Sequence, residues 1–411
     1  MFLNQFATLG MNARMRIAIL FDRLDVLGGA ERLAMEEARY FAQRKHCTTL
    51  LTYSAKMVLK EKGEINVIEM GFSNSLIQRF YVLLKALLHL KPDLIIAHPG
   101  SMSFLVFSVT RIVRVPYVLH IHGTTFWFPD DTIKYSFLHK SVFEVIRSSL
   151  QGHKSFVSAE CHRRTIRQKI TEEIAAIIDY LNVRNAVEVF TLSKRVRWEI
   201  QLLYRRDATV AVAGVDASLL ENTGKIDVKR KLGIADKKMI LSVSRLEPRK
   251  RFDLLLKSFG EIQKKDENAV LVIVGTGEDE QSLKTLAESL ELGDKVIFTG
   301  FVPEDLLIEY YASCDLFVFP GWCAFGLVAI EARLFGKRVV ITPDAVVCEV
   351  LVQDKGTVFS NPDQESLSET ILRLLKMCEN SEPFPESLMK KLTWNAYFGA
   401  IYSKIFLSIS K

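Results

Sequence analysis

The sequence predicts an α/β protein made of two doubly wound parallel sheets, one in each half. Three observations predict it. Short apolar runs alternate with amphipathic helical stretches from residue 16 to about 215, the pattern of a parallel sheet with helices packed on it. The alternation restarts at Lys238. Charge divides near the same place: residues 1–215 carry 29 Lys and Arg against 19 Asp and Glu, a net of +10, whereas the remainder carries 25 against 29, a net of −4. A basic half joined to an acidic half points to two domains with different partners. The predicted organisation is a Rossmann-like domain over 1–215, a second over 216–390, and a closing helix over 391–411 that returns to the first domain. At 411 residues and 49% apolar content, each domain has material for a sizeable core.

The elements follow in order. "RIAILFD" (16–22) is a strand ending in a loop with Gly28 and Gly29, and "AERLAMEEARYFAQRK" places Leu33, Ala34, Glu37, Ala38 and Phe41 at helical spacing. "TTLLTY" and "INVIEM" are strands, 75–90 is a helix, "DLIIAH" a strand, 102–112 a helix and "PYVLHIHG" a strand. A helical, basic stretch covers 134–182. "AVEVFTLS", "KRVRWEIQLLY" and "ATVAVAGVD" are then strand, helix and strand. In the second half "KMILSVSRL", "AVLVIVGTGED", "KVIFTGFV", "DLFVFP" and "KRVVIT" are strands. Between them lie helices at "FDLLLKSFGEIQKK", "EQSLKTLAESLEL", "EDLLIEYYASC" and "GLVAIEARLFG". "TWNAYFGAIYSKIFLSI" is one amphipathic helix, with Trp394 as an anchor into a groove.

Several classes are disfavoured. The six cysteines are scattered, without a C-x-x-C pair or zinc spacing, and read as free thiols in a reducing compartment. Residues 1–14 lack the apolar core of a signal peptide. The apolar stretches 76–90 and 94–109 fall short of the ~18–20 residues a membrane span needs. No recognition motif accompanies the basic charge, so nucleic acid is not an expected partner.

Five features can carry chemistry. Glu331 is a lone carboxylate one to two turns into a helix that starts near Phe325-Gly326-Leu327-Val328. Unpaired N–H groups and a positive dipole end suit a diphosphate there, and Glu331 can accept from the ribose attached to it. The alternative is a buried Glu paired with Arg333 or Arg338. Arg245 and Lys250 in "SRLEPRK" follow a strand and can neutralise a leaving diphosphate, or else form a solvated basic loop. Gly28, Gly29, Gly275 and Gly277 let a backbone approach a phosphate or sugar. His120 and His122 share one face of a strand, so one can be internal while the other reaches a cleft; no further metal ligands stand at suitable spacing. Arg147, Lys154, Arg163, Arg164, Arg167 and Lys169 against Glu160 alone make either an anionic-lipid surface or a solvated helix face.

Taken together, these motifs resemble the GT-B glycosyltransferases of the retaining family 4, also called glycosyl transferases group 1, over about 15–405. The matching pieces are Gly28-Gly29-Ala30-Glu31-Arg32, His122-Gly123, Ala213-Gly214-Val215-Asp216 at the domain junction, Arg245-Leu246 with Lys250, Gly275-Thr276-Gly277, and Gly300-Phe301-Val302-Pro303. The family signature E-x-F-G-L with a second Glu eight positions on reads here Cys323-Ala324-Phe325-Gly326-Leu327 with Glu331. A loop that is usually G-G-x-x-E reads Ala345-Val346-Val347-Cys348-Glu349. The second Glu is present; the first, which usually contacts the donor sugar, is a cysteine, and a thiol does not accept hydrogen bonds as a carboxylate does.

The resemblance implies a GT-B fold with two Rossmann-like domains facing a cleft, and retaining transfer of a sugar from a nucleotide-diphosphate donor. Arg245, Lys250 and the N–H groups of Gly326 to Val328 would cradle the diphosphate, the backbone at Phe301 and Val302 would meet the base, Glu331 the ribose, and His122 would line the sugar pocket. No D-x-D motif appears, so no metal is expected to be required, and no cofactor beyond the donor. The expected acceptor is a lipid-linked glycan or polysaccharide precursor, at the anionic, cytoplasmic face of the cell membrane, with the protein peripheral there. The departures at Cys323 and 345–349 support an alternative: a catalytically degenerate protein that binds nucleotide or supports a partner.

Overall fold

The computed structural model describes residues 14–25, 28–56, 65–98, 100–122, 166–215, 220, 224, 226–321, 325–343, 345–377 and 383–409. The chain forms two compact units, Met1–Ala213 with Trp394–Lys411, and Gly214–Thr393.

The first unit holds seven parallel strands: β1 (Arg16–Leu20), β2 (Cys47–Thr52), β3 (Asn66–Glu69), β4 (Leu94–Ala97), β5 (Tyr117–Ile121), β6 (Val189–Thr191) and β7 (Thr209–Val210). Their order is β3-β2-β1-β4-β5-β6-β7. Consecutive residues Ile17 to Leu20 are all buried, so β1 is covered on both faces, which is why its sequence is an unbroken apolar run. The crossover helices are α1 (Gly29–Gln43), α2 (Leu76–Leu90), α3 (Ser101–Val113), α4 (Ile166–Asn185) and α5 (Lys194–Tyr204). Ser75 and Ser193 cap α2 and α5 by accepting from the N–H of Gln78 and of Val196.

The second unit holds β8 (Lys238–Val243), β9 (Ala269–Val274), β10 (Val296–Gly300), β11 (Leu316–Phe319), β12 (Arg338–Ile341) and β13 (Thr357–Phe359), all parallel, in the order β10-β9-β8-β11-β12-β13. Its helices are α6 (Val228–Lys231), α7 (Phe252–Gln263), α8 (Glu280–Ser289), α9 (Glu304–Ser313), α10 (Leu327–Leu334), α11 (Cys348–Leu351), α12 (Gln364–Lys376) and α13 (Glu386–Lys391). β13 and α12 complete a sheet that the sequence pattern leaves unfinished after Thr342. Three residues are too few to show a period; α12 does carry one, with Leu367, Ile371, Leu374 and Leu375 buried on one face, and Asp363 caps it by accepting from Ser366 N–H at 2.8 Å.

The closing helix, α14 (Trp394–Ile409), belongs to the first unit. It packs on α1 through rings: Phe398 lies 5.3 Å from Tyr40 and Tyr402 5.8 Å from Phe41, centroid to centroid. Trp394 stacks on Phe398 of its own helix at 5.6 Å, and the Arg32 guanidinium lies over its ring. It is thus a covered ring at the helix start. Among the described residues no helix is long and apolar enough to cross a membrane.

Candidate functional site

Each sheet reverses its strand order once, between β1 and β4 and between β8 and β11. Open parallel sheets bind ligands at the strand carboxyl ends beside such a reversal. In the second unit that place is made by the loops after β8 and β11. The β8 loop runs through Arg245, Leu246 and Glu247 into a 3-10 turn, Pro248–Lys250. Glu247 pairs with Arg249 and with Arg245, the latter at 3.2 Å. Burial would push the Glu247 carboxyl up, but the hydrogen bond from Arg249 and the charges of Arg249, Arg245 and Lys250 outweigh it and hold it below its ordinary value. Arg245 itself is 59% exposed. Lys250 is buried, with Nζ 5.5 Å from the Phe319 ring centroid at the end of β11. The sequence singled out Arg245 and Lys250 but passed over Glu247, the carboxylate that holds this turn's cations together.

Glycines bring these loops close. A Cβ on Gly321 would stand 2.4 Å from the carbonyl carbon and oxygen of Lys250, so the β11 loop lies directly on the Lys250 turn. Gly275 has φ +131°, and its Cβ would stand 1.9 Å from Ser244 O; that of Gly277 would stand 2.1 Å from Leu246 O. These two glycines, read in the sequence as room for a ligand, have a packing reason here: they seat the β9 loop on the β8 loop. Gly275 N–H also donates to Gly300 O at 2.8 Å. Beside it Phe301 is 53% exposed and Val302 is buried.

α10 begins at Gly326, whose φ of +88° is left-handed. Phe325 is buried ahead of it, Leu327 and Val328 are half-buried, and Glu331 is only 5% exposed. The Tyr311 hydroxyl donates to Glu331 Oε2 at 2.9 Å. Arg333, one of the two arginines weighed as its partner, is committed to Asp354 through Nε and Nη2 at 2.6 and 2.9 Å and donates to Lys337 O at 2.7 Å. Cys323 lies outside the described residues. Ala345, Val346 and Val347 are buried.

In the first unit, Gly28 precedes α1 and Gly29 opens it; a Cβ on Gly28 would meet the Glu31 carboxylate at 2.5 Å. Asp22, after β1, accepts from Met102 N–H at 2.7 Å and so ties the β1 loop to the start of α3. The sequence reading missed Asp22 and, more consequentially, His98. Glu37, His98, His120 and His122 form one buried cluster. His98 Nε2 lies 2.7 Å from Glu37 Oε2, and His98 Nδ1 lies 3.0 Å from His122 Nε2. His120 Nε2 is 3.2 Å from Glu37 Oε1, an ion-pair distance off the line of a hydrogen bond, and the Tyr397 hydroxyl is 3.3 Å from His120 Nδ1. Two expectations change. His120 and His122 are both buried, so the division into one internal and one open histidine does not hold. Further potential ligands do exist: the nitrogens of His98, His120 and His122 lie within 4.8 Å of one another. His98 was missed because it ends a different strand; only the β1-β4-β5 order brings it beside β5.

Burial would raise the Glu37 carboxyl, but His120 and His98 outweigh it and hold it far below the carboxylate range. Burial pushes His98 down against the pull of Glu37, and pushes His122 well down, helped by His98 and His120. The Tyr397 hydroxyl is pushed well up by burial and by Glu37, so it stays protonated. The basic stretch 147–165 lies outside the described residues.

Comparison with known proteins gives two family matches. The model described as "Glycosyltransferase Family 4" matches residues 27–227, and "Glycosyl transferases group 1" matches residues 225–388. An uncharacterized glycosyltransferase of Methanocaldococcus jannaschii is 26% identical over 289 residues, 66% of this chain and 64% of that protein. A GDP-mannose-dependent alpha-(1-6)-phosphatidylinositol monomannoside mannosyltransferase of Mycolicibacterium smegmatis is 28% identical over 157 residues, 36% of this chain and 41% of that protein. The chain thus spans less than two thirds of the length of these relatives. Anabaena HepE, solved in complex with UDP and glucose, superposes with a TM-score of 0.68 at 20% identity, covering 97% of each chain, a likeness of fold.

Proposed function

The chain belongs to the GT-B glycosyltransferases of the group 1 and family 4 type, and from that premise we propose that it moves a sugar, with retention, from a nucleotide-diphosphate donor to a lipid-linked glycan or polysaccharide precursor. The observation that carries this is Glu331, buried one turn beyond the left-handed Gly326, beside the reversal between β8 and β11. The first N–H groups of a helix have no intrahelical acceptor and carry the positive end of its dipole. A diphosphate held there puts its ribose toward Glu331. As the bond to the sugar breaks, negative charge grows on the diphosphate, and Arg245 and Lys250 meet it. His122 is the residue assigned to the sugar. The charge comes from the chain itself, and the reading routes no step through a metal.

The named relatives guide the choice of ligands. UDP-glucose and GDP-mannose lead the donor panel because of the ligand in HepE and the donor of the mannosyltransferase. A phosphoinositide-type acceptor leads the lipid panel for the same reason. An anionic membrane surface, at the cytoplasmic face, suits the net +10 of residues 1–215 and the exposed Leu76, Ile77, Tyr81 and Leu88 on α2. The test is thermal stabilisation by each nucleotide sugar, followed by mass spectrometry of products formed on a lipid extract. A donor that raises the melting point and yields a glycosylated lipid is expected. Tight nucleotide binding with no product from any donor would overturn transfer and leave a nucleotide-binding protein.

A further inference from the structure

Inside the second unit α10 carries two charged side chains that leave the helix in opposite directions. Ala329, Ile330, Glu331, Ala332 and Arg333 are all buried, so the helix is enclosed all round. Two residues along an α-helix turn it by about 200°. Glu331 thus meets Tyr311 on α9, while Arg333 meets Asp354, in the connection between β12 and β13. Apolar contact at the two alanines and Ile330 has no direction, so it resists rotation of the helix only weakly. Hydrogen bonds do have direction.

The fully buried Arg333 guanidinium supplies it. Nε and Nη2 donate to the two oxygens of Asp354 at 2.6 and 2.9 Å, a bidentate fork, and Nη1 donates to Lys337 O at 2.7 Å, just past the helix end. Asp354 also accepts from the Thr357 hydroxyl at 2.6 Å, which carries the tie into β13. Room for the fork comes from an absent side chain: a Cβ on Gly356 would stand 2.1 Å from Arg333 Cζ. On the opposite side of α10 the Tyr311 ring is itself held, stacked on Phe335 at 5.8 Å and tilted against Phe317 of β11 at 5.9 Å, centroid to centroid. Stability is a weak reason for such a pair. Desolvating two charges costs about as much as their attraction returns, and apolar residues of similar volume often serve a fold as well. The fork instead gives α10 one rotation.

We propose that Arg333 is a positioning residue: its bond to Asp354 fixes the rotation of α10 and so aims the Glu331 carboxylate. That Glu331 then meets a ribose rests on the glycosyltransferase reading; the positioning itself does not.

The test compares the native full chain with Glu331→Ala, with Gly356→Ala, and with Arg333→Met combined with Asp354→Asn. The combined variant removes both charges at once and keeps an acceptor for Thr357. Gly356→Ala keeps both charges and displaces the guanidinium, and position 356 is not left-handed, so alanine brings no backbone strain. One readout needs no nucleotide. The 13Cζ resonance of Tyr311 in tyrosine-labelled protein, assigned with Tyr311→Phe, reports its bond to Glu331. The other is calorimetric titration of UDP and GDP, each against its 2′-deoxy form. In Gly356→Ala and in the combined variant the Tyr311 resonance should move. Ribonucleotide affinity should fall roughly tenfold, the size of one lost hydrogen bond, with a much smaller loss for the 2′-deoxy form. Adding Glu331→Ala should cost little more, because both changes remove the same contact. A merely structural role would weaken the two forms alike. Folded variants with an unmoved Tyr311 resonance would overturn the positioning. A moved resonance with equal losses for the two forms would overturn the link to the ribose alone. Glu331→Ala binding both forms as the native chain does would sink the ribose reading, and the Tyr311 resonance would still decide the positioning. If the combined variant does not fold, Gly356→Ala decides.

Discussion

Glu331→Ala separates a ligand role from a structural one, because the structure assigns a cost to each. Glu331 is 5% exposed and accepts from Tyr311 at 2.9 Å. Removing a charged acceptor from a ribose should weaken nucleoside diphosphate binding by roughly 1.5–3 kcal/mol, or about 10- to 150-fold in Kd. Truncation also removes the carboxylate that the buried Tyr311 hydroxyl donates to, a stability cost of about 1–3 kcal/mol. In a unit of this size each kcal/mol lowers Tm by roughly 2–4 °C. Glu331→Gln keeps an oxygen for Tyr311 and should recover most of the stability but not the charge-assisted contact. The assay is calorimetric titration of UDP and GDP below the melting point, with a scanning melt of each variant. A 2′-deoxy nucleotide completes the cycle: if Glu331 holds the ribose, the substitution costs less with the hydroxyl gone. Unchanged Kd for the ribonucleotide, together with a lowered Tm, would give Glu331 a structural role alone and remove the ribose site.

Lys250→Ala should lower kcat more than it raises KM, since the diphosphate gains charge in the transition state; an effect confined to KM would reduce Lys250 to a binding group. Acid should loosen the fold. His98 and His122 are depressed by burial, whereas their unfolded forms bind protons near about 6.5. Below that pH the unfolded chain therefore holds more protons, and stability falls by up to ~1.4 kcal/mol per pH unit for each ring. Urea midpoints equal at pH 7 and pH 5 would contradict neutral buried imidazoles. Finally, α2 exposes Ile77 and Tyr81 beside Lys85, with no acidic residue between Met70 and Pro92. Ile77→Glu should reduce sedimentation with anionic vesicles, and salt should weaken the native interaction because charge is screened over ~8–10 Å. Equal partition of the native chain onto neutral and anionic vesicles would reject the membrane surface.

Most of the framework was legible because each strand of a two-faced parallel sheet is an apolar run, and each crossover helix shows its own period. Legibility failed where elements are short. β7 keeps two residues of the nine-residue "ATVAVAGVD", and β13 has three. Arg245 and Lys250 were legible as a pair of cations because one loop after a strand carries both. It was not legible where strand order does the assembling. Glu37, His98 and His122 come from α1, β4 and β5, and nothing local marks them as one group. Gly275 and Gly277 also seat one loop on another, which a glycine in sequence does not reveal, since it says only that a side chain is excluded, not by what. Glu331 is buried, as the alternative reading had it, yet the donor to it is Tyr311, twenty residues earlier on α9, which no local pattern names.

The two strand-order reversals are topologically alike but are held in different ways, and this bears on how specificity can vary. Around β8 and β11 the loops are fixed by absent side chains: Gly275, Gly277 and Gly321 each bring backbone within what would be a Cβ clash. Groups positioned by backbone suit the constant part of a donor, its base, ribose and diphosphate, and they resist substitution because any side chain moves several loops together. Around β1 and β4 the arrangement is held by side chains, Glu37, His98 and His122. A contact between side chains can be changed by one isosteric substitution without moving the backbone.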